Sequence, residues 1–163
     1  KILVTKIMVL NKKLKENFLN WMKFKNFHST SIVVEDLGIM IIGKSGSGKS
    51  DLALRLIDSG AMLISDDVTI CKKSGDFLYL NSHEATRGLL EVREIGIMTV
   101  PYIDNIKLAL IVELTDINLK RSPGEISSKI LGIKVPKIKI LGRESSAVAK
   151  IKIKLNQIRN YAE

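Results

Sequence analysis

Hydrophobic and polar positions alternate along this chain with two different periods, and the first change of period falls at a glycine-rich turn. Thr30–Val34 and Gly38–Ile42 read as two short strands joined at Glu35-Asp36-Leu37. From Lys49 to Ser59 the spacing becomes helical. Leu52, Ala53, Leu56 and Ile57 form one apolar stripe, and Gly60 stands where a helix's C-terminal glycine belongs. Ala61–Ser65, Val68–Cys71 and Phe77–Leu80 are β-like, the last following a turn at Ser74-Gly75-Asp76. Ile95–Val100 is an apolar run stopped by Pro101, and Lys107–Leu114 predicts a buried strand. Ile130–Leu141 predicts two strand pieces around Pro136. From Ser145 onward Val148, Ile151, Leu155 and Ile158 are spaced by three and four, which predicts a second helix.

The pattern contains no internal repeat, low-complexity tract or interdomain linker. It predicts one α/β domain, residues 27–163, behind a basic leader, residues 1–26, that is partly helical or disordered. A length of 163 residues suits one domain with a real core, and 45% hydrophobic with 26% charged residues is a globular profile. The longest uncharged apolar run, Leu37 to Gly43, is far shorter than the ~20 residues a membrane helix needs, so no membrane insertion is expected. Lys6 interrupts the apolar start and no small-residue cleavage site follows, which argues against export. With Cys71 as the single cysteine no internal disulfide forms, and a cytoplasmic setting is expected.

The net charge of +9 is concentrated in the leader, where seven lysines accompany one acid, Glu16. This reads as a solvated, partly helical extension, or as a basic arm for nucleic acid, membrane or an acidic partner. No aromatic-interleaved basic motif accompanies it, so nucleic acid ranks last among partners.

The chemistry begins at Gly43-Lys44-Ser45-Gly46-Ser47-Gly48-Lys49-Ser50, which matches the pattern G-x-x-x-x-G-K-[ST] between a strand and a helix. Glycines 43, 46 and 48 let the backbone curl so that its N–H groups face phosphate oxygens, and the helix start adds its positive dipole end. Lys49 is placed to reach the β- and γ-phosphates, and the Ser50 hydroxyl to ligate a divalent cation. The expected cofactors are ATP and Mg²⁺. The loop does not name the reaction. Glu113, ending the run Leu108–Val112, and Asp116 behind it are candidates for a second metal acid, or simply for a central strand ending at a charged loop. Asp66 and Asp67 close the strand Ala61–Ser65. Two adjacent carboxylates repel one another unless a cation relieves them, so they mark either an acidic turn or a site. Leu90-Glu91-Val92-Arg93-Glu94-Ile95-Gly96-Ile97 adds a charged patch between apolar neighbours.

In this order the pieces resemble the catalytic domain of HPr kinase/phosphorylase, a bacterial enzyme that phosphorylates a serine of the phosphocarrier protein HPr. The resemblance covers about residues 28 to 158. It rests on His28, Gly43–Ser50, Asp51–Ile57, Asp66-Asp67, and Gly88-Leu89-Leu90-Glu91-Val92-Arg93 with Gly96-Ile97. Val100-Pro101-Tyr102, Ile130–Pro136 and Ser145–Lys150 look like the short α-proteobacterial branch, which lacks the N-terminal domain of the longer enzymes. The resemblance implies a single P-loop kinase domain of the HPr kinase and phosphoenolpyruvate-carboxykinase-like type, with a mixed sheet and flanking helices. It further implies an ATP-dependent serine kinase, and possibly phosphorylase, acting on HPr as a homo-oligomer, commonly a hexamer.

Roles follow from the same resemblance. Asp66 is expected as general base, Arg93 on the transferring phosphate, and His28 beside Asp66 as its tuner. Ser50, Asp67 and Glu91 are expected around Mg²⁺. Without the resemblance His28 reads as a surface histidine before a strand. Arg121, Arg143 and Arg159 are further candidates for a phosphate-neutralising arginine, and His83 has no assigned role. Glu94 departs from the family signature, which has glycine there. A glycine at that place suggests a backbone angle or close approach that a larger side chain resists. Its carboxylate would also stand near the phosphates. Two other readings follow: a P-loop kinase or NTPase using Glu113 or Asp116, and a nucleotide-sensing module in which Glu94 has disabled transfer.

Overall fold

The computed structural model describes residues 23–117, 119, 121 and 123–161, together with Lys12. The leader expected over residues 1–26 thus lies, through Met22, outside the described residues apart from Lys12. Phe24–Asn26 are not leader but strand, since β1 (Phe24–His28) pairs antiparallel with β5 (Val68–Ser74).

The first hairpin is made by β2 (Thr30–Val34) and β3 (Leu37–Ile42). Its two-residue turn, Glu35-Asp36, has φ of 47° and 72°, the handedness that follows strand twist. The phosphate loop then leads into α1 (Lys49–Asp58). That helix ends as the stripe predicted: Gly60, at φ 99°, and Ala61 donate back to the Ile57 and Leu56 carbonyls, closing the last turn. Strands β4 (Met62–Ser65), β5 and β6 (Phe77–Ser82) follow, then a 3₁₀ turn at Glu84–Thr86. A separate ribbon comes next, β7 (Leu89–Val92) and β8 (Gly96–Thr99). The chain closes with β9 (Ile106–Leu114), β10 (Ile126–Ile130), β11 (Ile133–Ile140) and α2 (Ala147–Asn160).

The main sheet is mixed, in the order β1-β5-β6-β9-β3-β2-β4. β9 organises it. β3 runs parallel along one side, while the other side is shared: Ile106 and Lys107 pair with β6, and Ile111–Leu114 pair in parallel with β11. A strand with neighbours on both sides and layers on both faces must be apolar nearly throughout, which accounts for the Leu108–Val112 run.

Alternation along β3 and β9 then divides the interior. Ile39, Ile41, Leu110, Val112 and Leu114 face α1 and α2, packing on Leu52, Leu56, Ile151 and Leu155. Met40, Leu108 and Ile111 face the β5–β6 arm through Ile64, Cys71, Leu78 and Leu80. Leu108 and Leu110 fall in different cores because the register shifts between them: Gly38 pairs with Leu108 and Ile39 with Leu110, so Ala109 is an extra residue on β9.

Two predicted elements differ. The break in Ile130–Leu141 falls at the Leu131-Gly132 turn rather than at Pro136, which lies within β11. Pairing of β11 with β9 starts only at Lys137, so the missing proline N–H removes no bond on that side. The run Ile95–Val100 contributes β8, yet all four strand residues are exposed. Among the described residues no helix is long and apolar enough to cross a membrane.

Candidate active site

The phosphate loop connects β3 to α1, and its glycines serve different ends. Gly46 and Gly48 have φ of 75° and 93°, and a Cβ at either would meet nothing within 4 Å. They are required for backbone hand. A Cβ at Gly43 would lie 2.7 Å from Ser47 Oγ and 3.3 Å from the Leu114 carbonyl oxygen, so that glycine is required for room. α1 has no side-chain cap at its start, leaving its first-turn N–H groups for an anion. Lys49 is nearly buried, and its ammonium donates to the Gly43 and Lys44 carbonyls at 3.3 Å each. The ammonium is thus held against the loop it serves.

Asp66 ties the site together. Its Oδ1 accepts from Thr30 Oγ1 at 2.7 Å and from Ser50 Oγ at 3.0 Å, while Oδ2 accepts from the Glu91 backbone N–H at 3.1 Å. One buried carboxylate therefore joins β2, the start of α1 and β7, and these donors compensate its loss of water. Asp67 has the opposite surroundings. Its backbone turns left-handed at φ 67°, and its side chain is 73% exposed. His28 Nδ1 lies 3.1 Å from the Asp67 carbonyl oxygen and 3.5 Å from its Oδ1. The two aspartates thus differ sharply in accessibility. Asp66 is closed off by three donors, and His28 sits beside Asp67, not Asp66.

A cavity of about 610 Å³ opens in front of these groups. Ser45, Gly46, Gly48, Lys49 and Ser50 line it from the loop, Asp51 and Leu54 from α1, His28 and Asp67 from the strand ends, and Glu91, Val92 and Arg93 from β7 and its turn. Arg143, between β11 and α2, completes the wall. Gly43, Lys44 and Ser47 do not reach the cavity and shape the loop instead, the Ser47 N–H donating to the Lys44 carbonyl at 3.1 Å. Asp66 does not line it either.

Glu94 stands outside the lining, in the turn after β7. The Ile95 N–H donates to the Val92 carbonyl at 3.0 Å, and Glu94 has φ 70°, so it holds the left-handed place of a type II-like turn where glycine is at ease. Its departure from the family pattern is a matter of backbone rather than of charge in the cavity. Glu113 follows Ile111 on the β9 face turned away from α1 and is bound by Lys137 at 2.9 Å and Lys139 at 3.7 Å. The Lys137 hydrogen bond holds its carboxyl below the usual range, and neither it nor Asp116 lines the cavity. Arg159 pairs with Glu35, and His83 caps the 3₁₀ turn by accepting from the Ala85 N–H. Sequence reasoning missed Thr30, whose signal was the hydroxyl pair Thr30-Ser31 opening a strand that continues as Ile32-Val33-Val34.

Oxygen donors fit the expected cation. Among the described residues no group of three His, Cys, Asp or Glu side chains gathers as a metal cage. A hydroxyl oriented by a buried carboxylate, Ser50 on Asp66, beside exposed Glu91 and Asp67 is a donor set for a cation completed by phosphates and water, as Mg²⁺ is.

A phosphate loop leading from a mixed sheet into a helix, with Asp67 and Glu91 on the wall of its cavity, places the chain in the class of P-loop proteins. The family model of the HPr serine kinase C-terminal domain matches residues 20–163, and the chain belongs to that family. It is 33% identical over 137 residues to an HPr kinase/phosphorylase of Mycoplasmopsis pulmonis, covering 76% of this chain and 44% of that protein. It is 32% identical over 130 residues to one of Chlorobium limicola, covering 71% and 39%. The chain thus spans less than half the length of these curated relatives. A solved HPr(Ser) kinase/phosphatase of Coxiella burnetii superposes with a TM-score of 0.74 at 26% identity, covering 85% of this chain and 98% of that one.

Proposed function

We propose that this chain transfers the γ-phosphoryl group of ATP, with Mg²⁺, to a serine of an HPr-type phosphocarrier protein. The observation that carries the reading is the hydrogen-bonded Asp66: it fixes the Ser50 hydroxyl and β7 together and leaves Asp67 facing the cavity beside His28. The loop N–H groups and Lys49 hold the phosphates, and Arg93 offsets charge on the group in transfer. Asp67, accessible and within reach of His28, takes the proton of the attacking serine, and Asp66 orients Ser50. This exchanges the roles the resemblance implied for the two aspartates. Ser50, with Glu91, would hold Mg²⁺, which when bound neutralises charge on the β- and γ-phosphates, and Asp67 stays free to accept the proton.

In phosphorolysis inorganic phosphate would attack the phosphoserine phosphorus and leave as pyrophosphate, while the departing serine oxygen regains its proton by way of Asp67. The relatives named HPr kinase/phosphorylase support the substrate assignment. A cytoplasmic setting and a homo-oligomeric, hexameric state belong to the same reading. The test is incubation of purified protein with HPr, ATP and Mg²⁺, followed by mass spectrometry for phosphoserine. No phosphoserine, while a known kinase phosphorylates the same HPr, would overturn it.

A further inference from the structure

Arg143 reaches the phosphate cavity from a segment remote in sequence, and the protein holds that segment firmly. Arg55, on α1, donates to the carbonyls on either side of Arg143: through one guanidinium nitrogen to Glu144 at 3.2 Å and through the other to Gly142. Arg55 is itself aimed by Asp51, with a nitrogen–oxygen distance of 3.0 Å. Leu114 closes the other side, since a Cβ at Gly142 would come within 2.9 Å of its Cδ1. The backbone at Arg143 is therefore clamped, and the residue lines the cavity.

No carboxylate among the described residues forms an ion pair with Arg143. Two of the acids in the cavity wall have other partners, Asp51 in Arg55 and Asp67 in His28. Lys49, Arg93 and Arg143 thus bring three cations to one cavity. Like charges converge at a cost unless an anion of high charge completes the arrangement. A phosphoryl group in transfer supplies that charge, spread over three equatorial oxygens.

Resting on the phosphotransferase reading, we propose that Arg143 is a further catalytic residue that binds the transferring phosphoryl group, and that Arg55 is its positioning residue. In the step concerned the acceptor oxygen bonds to the γ-phosphorus while the bond to the β–γ bridging oxygen breaks. ADP leaves with that electron pair, and the hydroxyl proton passes to Asp67. Arg143 donates to equatorial oxygens throughout and exchanges no proton.

The experiment compares binding of ADP·Mg²⁺ with binding of ADP·Mg²⁺ plus aluminium fluoride, which imitates the group in transfer. Arg143→Ala should weaken the fluoride complex roughly 100-fold and change ADP affinity less than about 3-fold, with Arg143→Lys between. Arg55→Lys should weaken the fluoride complex on its own yet add nothing to Arg143→Ala, because it acts through that residue. Equal fluoride binding by wild type and Arg143→Ala overturns the proposal, as does a loss shared equally by ADP alone. A wild type that forms the fluoride complex but leaves HPr unmodified removes the substrate assignment and leaves the role of Arg143 standing.

Discussion

Asp66 and Asp67 are adjacent and chemically identical, yet the fold gives them opposite surroundings, and substitution separates the tasks proposed for them. Asp67→Asn is expected to lower kcat about 100-fold or more, because a general base is lost, while ATP affinity changes less than about 3-fold. Asp66→Asn replaces an acceptor of three hydrogen bonds with a group that carries donors of its own, so it should raise the Mg²⁺ and ATP concentrations needed for half saturation and lower stability. Titration calorimetry beside steady-state kinetics separates the two, and the reverse pattern would restore Asp66 as base. The phosphate loop was legible in the sequence because backbone curl and the Lys-Ser pair are local. The opposite surroundings of the two aspartates were not. They depend on the left-handed turn at Asp67 and on Thr30 arriving from another strand. Glu94 illustrates the same limit, since its identity was visible but its φ of 70° was not. Glu94→Gly relieves a left-handed side chain at about 1 kcal/mol and gives part of that back as unfolded-state freedom. A gain of about 0.5 kcal/mol is expected, read as a rise of ~1–2 °C in Tm, with nucleotide affinity unchanged. A fall in Tm would contradict the turn geometry.

Elements with one clear period were legible, and those on the rim were not. β2, β3, β9 and both helices are marked by runs or stripes that the two cores bury. β1 was missed because it is an edge strand of largely exposed residues, and β7 because only Leu90 of its four residues is buried. The strand-end acid Glu113 shows how alternation decides function. At the end of β9 it had the right place for a metal ligand, but it lies on the face away from α1, among lysines of β11. Its role there is an ion pair between strands. Its folded pKa lies below the unfolded value, so the unfolded chain binds the extra proton and stability rises with pH through that interval. The pair's contribution is complete above about pH 5, beyond the unfolded glutamate value, and is lost as pH falls through the folded one. Glu113→Gln should therefore cost less than about 1 kcal/mol at neutral pH, a difference that shrinks in urea titrations carried below about pH 4. A difference independent of pH would assign the cost to packing instead.

At the scale of the whole molecule, β9 makes two cores into one structure. Consecutive residues Leu110 and Ile111 point to opposite faces, the first toward the helices and the phosphate loop, the second toward the β5–β6 arm. Neither face can lose its partner layer without disturbing the strand that supports the other, because β9 carries β3, β6 and β11 at once. Ile111→Ala tests this coupling from the core that the nucleotide does not touch. Truncating a fully buried isoleucine should cost roughly 2–5 kcal/mol through lost transfer energy and the cavity left behind. If the arm and the catalytic layer unfold together, the denaturant midpoint falls, and loss of secondary structure coincides with release of a fluorescent ATP analogue. Below that midpoint the analogue should bind as it does to wild type, since the phosphate loop packs on the other face of β9. Two separated transitions, with the analogue retained after the first, would show instead that the β5–β6 arm is an independent unit.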